Sequence, residues 1–478
     1  MRTIYFKQIL IVFLCLSSTA CISVGPDYQQ PAMDVTFDWN GADGNAVLYT
    51  KVEGSENLSQ WWQTLNDPLL SELVEEALRS SPDLRTARSL LRQVRAQRIV
   101  AATEYYPTVS ATGSTSLSKS DGEATRESYS VGFDASWELD LFGGVRRSVE
   151  ASQASLDASE ANLQDTQVSL AAEVATNYFE VRSLQNRLKI ALENLDSQGE
   201  TLQLTKWREQ AGLIDSQDVD QAQSNMEQTR AQIPSLKTSL AEAEHRLEIL
   251  LGKLPGSLHQ RLSSGGELPV VPGQIVLGIP ADTLRQRPDI RAAERKLAAE
   301  TARVGVAEAA RYPSFKLSGS IGLDALTLSG LGESGAGSLS LLGGITEPIF
   351  NAKRLKKQVE IQDAVREQAQ IAYEQTVLNA LGEVENALVN LYRSQERTSS
   401  LDQATISIEK AAAIARQKYA AGLIDFQSVL DTERSVRNLQ DSLATSRTNS
   451  VLALISLYKA LGGGWSSQGS DIQNKDQL

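Results

Sequence analysis

The chain has 478 residues, with 46 basic and 59 acidic side chains and a formal charge of −13. That acidic surplus excludes a nucleic-acid partner, because phosphate binding needs a basic surface. Two cysteines exclude a disulfide framework, and two histidines, His245 and His259, are too few for a multi-histidine metal site or a ready Ser-His-Asp arrangement.

The first twenty residues read as a leader. Arg2 and Lys7 are followed by an apolar run from Ile9 to Leu16 and then by small residues up to Ala20. This is the layout of a signal peptide, and the run is shorter than the ~20 residues that a membrane-spanning helix needs. Leu16-Ser17-Ser18-Thr19-Ala20-Cys21 also resembles a bacterial lipobox, in which Cys21 becomes the lipidated first residue of the mature chain. Ordinary cleavage beside an incidental cysteine is the alternative. Ile22-Ser23, with no aspartate after the cysteine, fits sorting to the outer membrane by the same resemblance.

Beyond a lipidated segment over 21–66, the chain is a tandem repeat. Pro82-Asp83-Leu84-Arg85 returns as Pro288-Asp289-Ile290-Arg291, and Tyr106-Pro107 as Tyr312-Pro313. Gly212-Leu213-Ile214-Asp215 returns unchanged as Gly422-Leu423-Ile424-Asp425, and Leu251-Gly252 as Leu461-Gly462. Ordered matches at a nearly constant offset mark a duplication of a several-element module. The repeats are placed at 67–281 and 282–462, with a tail over 463–478.

Each module opens on a helix. Asp67-Pro68 and Ser81-Pro82 each read as an N-cap followed by proline at the first helical position. Strands follow over about 107–118 and 128–141, then over about 313–324 and 338–349 in the second repeat. In the first of them hydroxyl residues recur at every second position from Thr108 to Ser118. In the next, Tyr129, Val131, Phe133, Ala135, Trp137, Leu139 and Leu141 share one face, while Ser130, Asp134, Ser136 and Glu138 lie on the other. Period-two alternation over about ten residues, apolar outward and polar inward, is the pattern of a transmembrane barrel. The alternative is a soluble sandwich.

Long helices make up the rest. Val219, Met226, Ile233, Leu240 and Leu247 lie seven apart, as do Ala222, Thr229, Leu236, Ala243 and Leu250. Together they form a coiled-coil seam of about five heptads. Val149, Leu156, Leu163 and Leu170 keep that spacing, and Val181, Leu188, Leu195 and Leu202 resume it after a four-residue stutter. From Gly144 to about Ala211 there is no proline, so one helix of roughly 100 Å is expected. Gly212 and Gly422 mark where the chain reverses, since glycine accepts the left-handed conformation of a helix end. Pro234 is expected to kink the returning helix or divide it.

Other motifs fade in context. Gly330-Leu331-Gly332-Glu333-Ser334-Gly335 fits G-x-G-x-x-G, but strands flank it, so it reads as a hairpin tip rather than a nucleotide loop. Gly252-Lys253 lacks a phosphate-binding loop. His245 lies off the heptad seam. The carboxylates are scattered along helix faces. No catalytic constellation, metal set or cofactor motif emerges, so the chain reads as a non-enzyme whose only covalent group is the lipid on Cys21.

The ensemble resembles the TolC-like outer-membrane efflux family, in particular its lipoprotein branch serving resistance-nodulation-division pumps. The carrying residues are Cys21, Val24-Gly25-Pro26-Asp27-Tyr28, Trp61-Trp62, Asp67-Pro68-Leu69, the Pro-Asp-Leu/Ile-Arg and Tyr-Pro repeats and both Gly-Leu-Ile-Asp turns. The resemblance implies a mainly helical chain that contributes four strands to a twelve-stranded barrel of a homotrimer, above an α-helical tunnel. It also implies an outer-membrane location extending into the periplasm, and a passive duct for drugs or other small solutes. A periplasmic adaptor and an inner-membrane pump would be the partners. Strand count agrees: four strands cannot close, eight close on a filled interior, and twelve leave a pore.

The family's periplasmic gate maps onto Lys418, Tyr419, Asp431 and Arg434 around Gly422. The first-repeat turn has Lys206, Trp207 and Arg208, with Gln221 in the place of Asp431. Asp431 and Arg434, three apart, share a helix face and can pair with each other or across the trimer axis. Two other functions stay open: the exit duct of an ABC-driven peptide or protein secretion system, and a lipid-anchored coiled-coil spacer without a pore.

Overall fold

The computed structural model describes residues 23–32, 48–51, 58–119, 121–122, 125–263, 265–266, 268–269, 271, 274–277 and 284–465. Cys21, and with it the leader and the lipobox, lies outside the described residues. In chain order the elements are β1 (Leu48–Lys51), α1 (Pro68–Ser80), α2 (Pro82–Thr103), β2 (Thr108–Ser118), β3 (Arg126–Leu139), α3 (Gly144–Gln210), α4 (Ser216–Leu250), α5 (His259–Leu262) and β4 (Gln274–Leu277). Then come α6 (Pro288–Ala309), β5 (Ser314–Ala325), β6 (Gly337–Thr346), α7 (Ala352–Ala420) and α8 (Phe426–Ala460). Short 3₁₀ segments lie at Leu58–Leu65 and Ser329–Gly332.

The chain folds into two compact units, and both repeats contribute to each. Of the described residues, one unit holds those within 23–32, 90–160 and 291–375; the other holds those within 48–89, 161–290 and 376–465.

In the first unit the four long strands form one antiparallel sheet in the order β2-β3-β5-β6. Thr108 pairs with Ser136, Phe133 with Ile321, and Ser320 with Ser340, so hydroxyls stack on hydroxyls and apolar chains on apolar chains. The strand ends depart from the sequence expectation by at most three residues. The glycine-rich stretch at 330–335 is the tip between β5 and β6, closed by Gly330 N–H donating to Thr327 O at 3.1 Å and Ala336 N–H to Glu333 O at 3.1 Å. It holds no nucleotide loop. Residues 23–32 also belong to this unit. Arg147 on α3 reaches them, donating to Val24 O at 3.2 Å and to Asp27 Oδ1 at 2.6 Å. Gly25, at φ +91°, lies so close to α6 that a Cβ there would come 2.4 Å from Gly305 Cα. Only a residue without a side chain fits that contact.

In the second unit the main core gathers Trp61, Trp62, Leu70, Tyr178, Phe179, Leu247, Leu388, Leu454 and Tyr458, among others. Trp61 stacks on Tyr458 with ring centroids 5.2 Å apart and meets Trp62 edge to face. Asp67 caps α1 as expected, its Oδ1 accepting from Leu70 N–H at 3.0 Å, and its Oδ2 accepts from Tyr178 OH at 2.6 Å. The Trp-Trp and Asp-Pro-Leu motifs are therefore core anchors. A short parallel pair, β1 with β4, was not expected; four residues are too few to display an alternation.

Every residue of the α4 heptad seam is buried or half-buried, and His245, off the seam, is exposed. Pro234 lies inside α4, which continues from Ser216 to Leu250 as one helix, so the proline does not divide it. Proline removes a single hydrogen bond there, and the buried seam on both sides holds the helix together at a cost of about 3 kcal/mol. Ser81 is not a side-chain cap: it ends α1 with its N–H donating to Ala77 O at 2.9 Å, and its buried hydroxyl has no partner among the described residues.

Candidate functional site

Two places combine unusual exposure with polar chemistry. One is the sheet. Its first face carries Tyr129, Val131, Phe133, Trp137, Ile321, Leu323, Leu339 and Leu341, and Val131, Phe133, Ile321, Leu339 and Leu341 are each more than half exposed. A contiguous apolar surface of that size on one chain marks a contact with lipid or protein. Trp137 satisfies its indole N–H on Tyr105 O at 3.1 Å, near the end of β3. The opposite face is lined by Thr108, Ser110, Asp134, Ser136, Lys316 and Ser318, beside an open cavity of about 380 Å³. Its hydroxyls satisfy each other across strands. Thr112 donates to Asp134 at 2.7 Å, and the pairs Ser114–Ser130 and Ser320–Ser340 both lie at 2.7 Å. Such a face is wettable, with Asp134 and Lys316 as charged members among the hydroxyls.

The other place is the pair of helix reversals. Gly212 (φ +71°) and Gly422 (φ +75°) both adopt the left-handed conformation. Leu213 N–H donates to Arg208 O and Leu423 N–H to Lys418 O, both at 2.9 Å, while the glycine N–H bonds one residue further on, to Glu209 O and Tyr419 O. This double bond is the Schellman closure. Asp215 and Asp425 then cap the next helices, accepting from Gln217 N–H and Ser428 N–H at 3.0 Å. Each residue of Gly-Leu-Ile-Asp except isoleucine thus has an assigned backbone role, which accounts for the motif's duplication.

The four helices meet near these turns around Leu202, Ala222, Met226, Tyr419, Phe426, Val429 and Leu430. Lys418, Asp431 and Arg434 are exposed. Tyr419 is not: it is 1% exposed, with the Arg208 guanidinium 4.3 Å from its ring centroid. Arg208 also donates to Tyr419 O, so the first-repeat turn is stapled to the second. Asp431 and Arg434 do not pair within the chain; Asp431 accepts from Gln427 Nε2 at 2.9 Å instead.

The sequence reading missed a buried polar layer beside these residues. Glu433 is 7% exposed, and its Oε1 accepts from Thr201 Oγ1 at 2.7 Å. Burial pushes its carboxyl above the ordinary range; Thr201 and Arg416 oppose that shift. Arg437, whose own pKa is lowered by burial and by Arg434, donates to Thr229 Oγ1 at 3.3 Å. The signal was present: Phe426, Val429, Leu430 and Glu433 lie at helical spacing on one stripe, so a carboxylate stands where an apolar residue belongs.

The family model described as "Outer membrane efflux protein" matches residues 73–253 and again 279–463. The chain belongs to the outer membrane efflux protein family. The model thus matches once in each half of the chain. Among similar proteins, "Solvent efflux pump outer membrane protein SrpC" of Pseudomonas putida is 31% identical over 96% of this chain and 99% of its own length. "Cation efflux system protein CusC" of Escherichia coli is 32% identical, over 96% and 99%. The solved outer-membrane channel OprN aligns at 37% identity and a TM-score of 0.87, covering 93% of this chain and 99% of its own. The open state of the Neisseria gonorrhoeae MtrE channel aligns at 29% and 0.80, covering 93% and 99%. The chain is thus an outer-membrane efflux duct subunit, and the family description and these names carry efflux rather than ABC-driven secretion. Among the described residues no helix is both long and apolar enough to cross a membrane.

Two outcomes follow from this geometry. Cysteine placed at Ser130 or Ser136 reacts with a water-soluble thiol reagent in reconstituted protein, while cysteine at Val131 or Trp137 is protected; the reverse pattern would invert the two faces. Because the folded Glu433 pKa is raised, the stability it lends is full at acid pH and is lost as pH rises through that folded value. Glu433→Gln is therefore expected to raise the melting temperature at about pH 8, with the gain shrinking toward about pH 5; a gain independent of pH would count against it.

Proposed function

We propose that three copies of the chain close a twelve-stranded barrel over an α-helical tunnel and form the passive exit duct of a tripartite efflux system. The observation that carries this reading is a four-stranded sheet with one apolar face, one hydroxyl face and two unpaired edges, β2 and β6. Such edges cannot remain open in lipid. An inner-membrane pump of the resistance-nodulation-division type, acting through a periplasmic adaptor, supplies energy and selectivity. The cargo is a small solute; relatives are named for solvents, cations and pyoverdine. Cys21 carries the lipid, and the docking of 23–32 by Arg147 supports an anchor held beside the barrel's own unit. The periplasmic mouth is held partly by Lys418, Asp431 and Arg434 acting between copies. Tyr419, clasped by Arg208, supports the turn from behind rather than facing the mouth. A single exposed ion pair contributes little, but three symmetric copies bias a two-state mouth without locking it.

The test is Asp431→Ala with Arg434→Ala in a planar bilayer beside the unaltered chain. A larger or more often open conductance is expected, whereas unchanged single-channel behaviour from intact trimers defeats the gate. Mass spectrometry of the mature N-terminus should find an acylated Cys21, and Cys21→Ala protein should lack the acyl chain while still inserting. An unmodified first residue other than Cys21 would remove the anchor.

A further inference from the structure

We propose that Phe350 of each protomer stacks on Tyr106 of the next copy, forming an aromatic clasp between chains that fixes how the open edges meet. The inference rests on the trimeric reading above. It comes from a clasp already present inside one chain. Phe142 stacks on Tyr312, with ring centroids 4.7 Å apart and planes 22° from parallel. The two residues border neighbouring strands of the sheet. Phe142 follows β3 and stands two positions before α3 begins at Gly144; Tyr312 stands two positions before β5 begins at Ser314. The β3–β5 register, with Leu139 opposite Phe315, sets 142 opposite 312 when continued.

The duplication supplies a second set of the same residues. Tyr106 stands two positions before β2 begins at Thr108, and Phe350 two positions before α7 begins at Ala352. They are the repeat counterparts of Tyr312 and Phe142. Within one chain they have no means of meeting, because β2 and β6 are opposite edges of the sheet. Both rings are left uncovered by their own chain: Phe350 is 99% exposed and Tyr106 71%, whereas Tyr312, with its partner in place, is 39% exposed. In a closed barrel β6 of one copy lies beside β2 of the next, which is the β3–β5 relation repeated between chains. The same placement then brings Phe350 onto Tyr106. Offset aromatic stacking at this separation is favourable beyond the area it covers. An interfacial lipid belt is the competing occupant of an exposed aromatic at a barrel rim.

Tyr106→Cys combined with Phe350→Cys, oxidised in membranes, is expected to give covalent dimers and trimers on a non-reducing gel. Directly opposed positions fall within the ~4.4–6.8 Å Cα range that a disulfide spans. Phe142→Cys with Tyr312→Cys is the control and should close within one chain, leaving the molecular size unchanged. The chain's own cysteines, Cys15 and Cys21, lie in the leader and at the proposed lipid site. In native cysteine background, Phe350→Ala or Tyr106→Ala should speed trimer dissociation in detergent by about 2- to 10-fold per clasp, with the double variant no worse than either single one. Trimers of native mass that do not cross-link, while the control does, overturn the clasp and leave the trimer standing. So does quenching of a Phe350→Trp reporter by brominated lipid. Absence of trimers in the unaltered protein overturns both readings together.

Discussion

The outer edges of β2 and β6 each present a row of backbone N–H and C=O groups, and hydrocarbon offers nothing to bond them. Each group left unpaired in lipid costs several kcal/mol, so a sheet in a membrane must close on itself. Four strands cannot close, and the chain therefore depends on its own copies. That requirement explains features that a single molecule leaves unexplained: the exposure of Leu339 and Leu341, the hydroxyl ladder from Thr108 to Ser118, and the partnerless rings at the strand ends. It also explains the use of serine and threonine on the inner face. Pairs such as Ser114–Ser130 satisfy one another yet stay wettable, so they line water without building a strong field.

The helical part answers a different demand. Helices of 67 and 69 residues need sidewise support along their whole length, since propensity alone stabilises them weakly. Heptad seams supply it, and at the reversals the backbone is closed by glycine and aspartate rather than by apolar mass. The layer around Glu433 runs against that economy. A buried carboxylate costs more than the leucine it displaces, but it makes the contact between hairpins directional, with Thr201 as its fixed donor. Packing that depends on a few aimed hydrogen bonds separates more abruptly than packing that can slide.

Much of this architecture was legible from local pattern. Alternation gave the strands to within a few residues, and heptads gave the seams. Repetition of Gly-Leu-Ile-Asp gave both turns, because each signal is carried by residues close in sequence. What stayed hidden depends on distant partners. Resemblance placed Tyr419 at the gate, but its burial beneath Arg208 rests on a partner in the other repeat. Ser81 had the right neighbour in Pro82 but turned its hydroxyl inward. Pro234 offered division of α4 as one of its usual effects, and the packed seam keeps the helix whole. Glu433 could have been found by asking why a carboxylate sits on an apolar stripe. The Arg147–Asp27 bond spans 120 positions, and no local pattern announces it.

The docked segment at 23–32 has a consequence for biogenesis. Tyr28 OH donates to Glu294 Oε1 at 3.0 Å, and the two residues lie 266 positions apart. Gly25 likewise rests on Gly305. The part of the chain that leaves the ribosome early meets Arg147 after 120 positions but cannot complete its contacts until α6 has followed. At synthesis rates of about 5–20 residues per second, that interval is on the order of tens of seconds. Throughout it, residues 23–32 lack the contacts to Glu294 and Gly305 that complete their seat, and these form once α6 arrives.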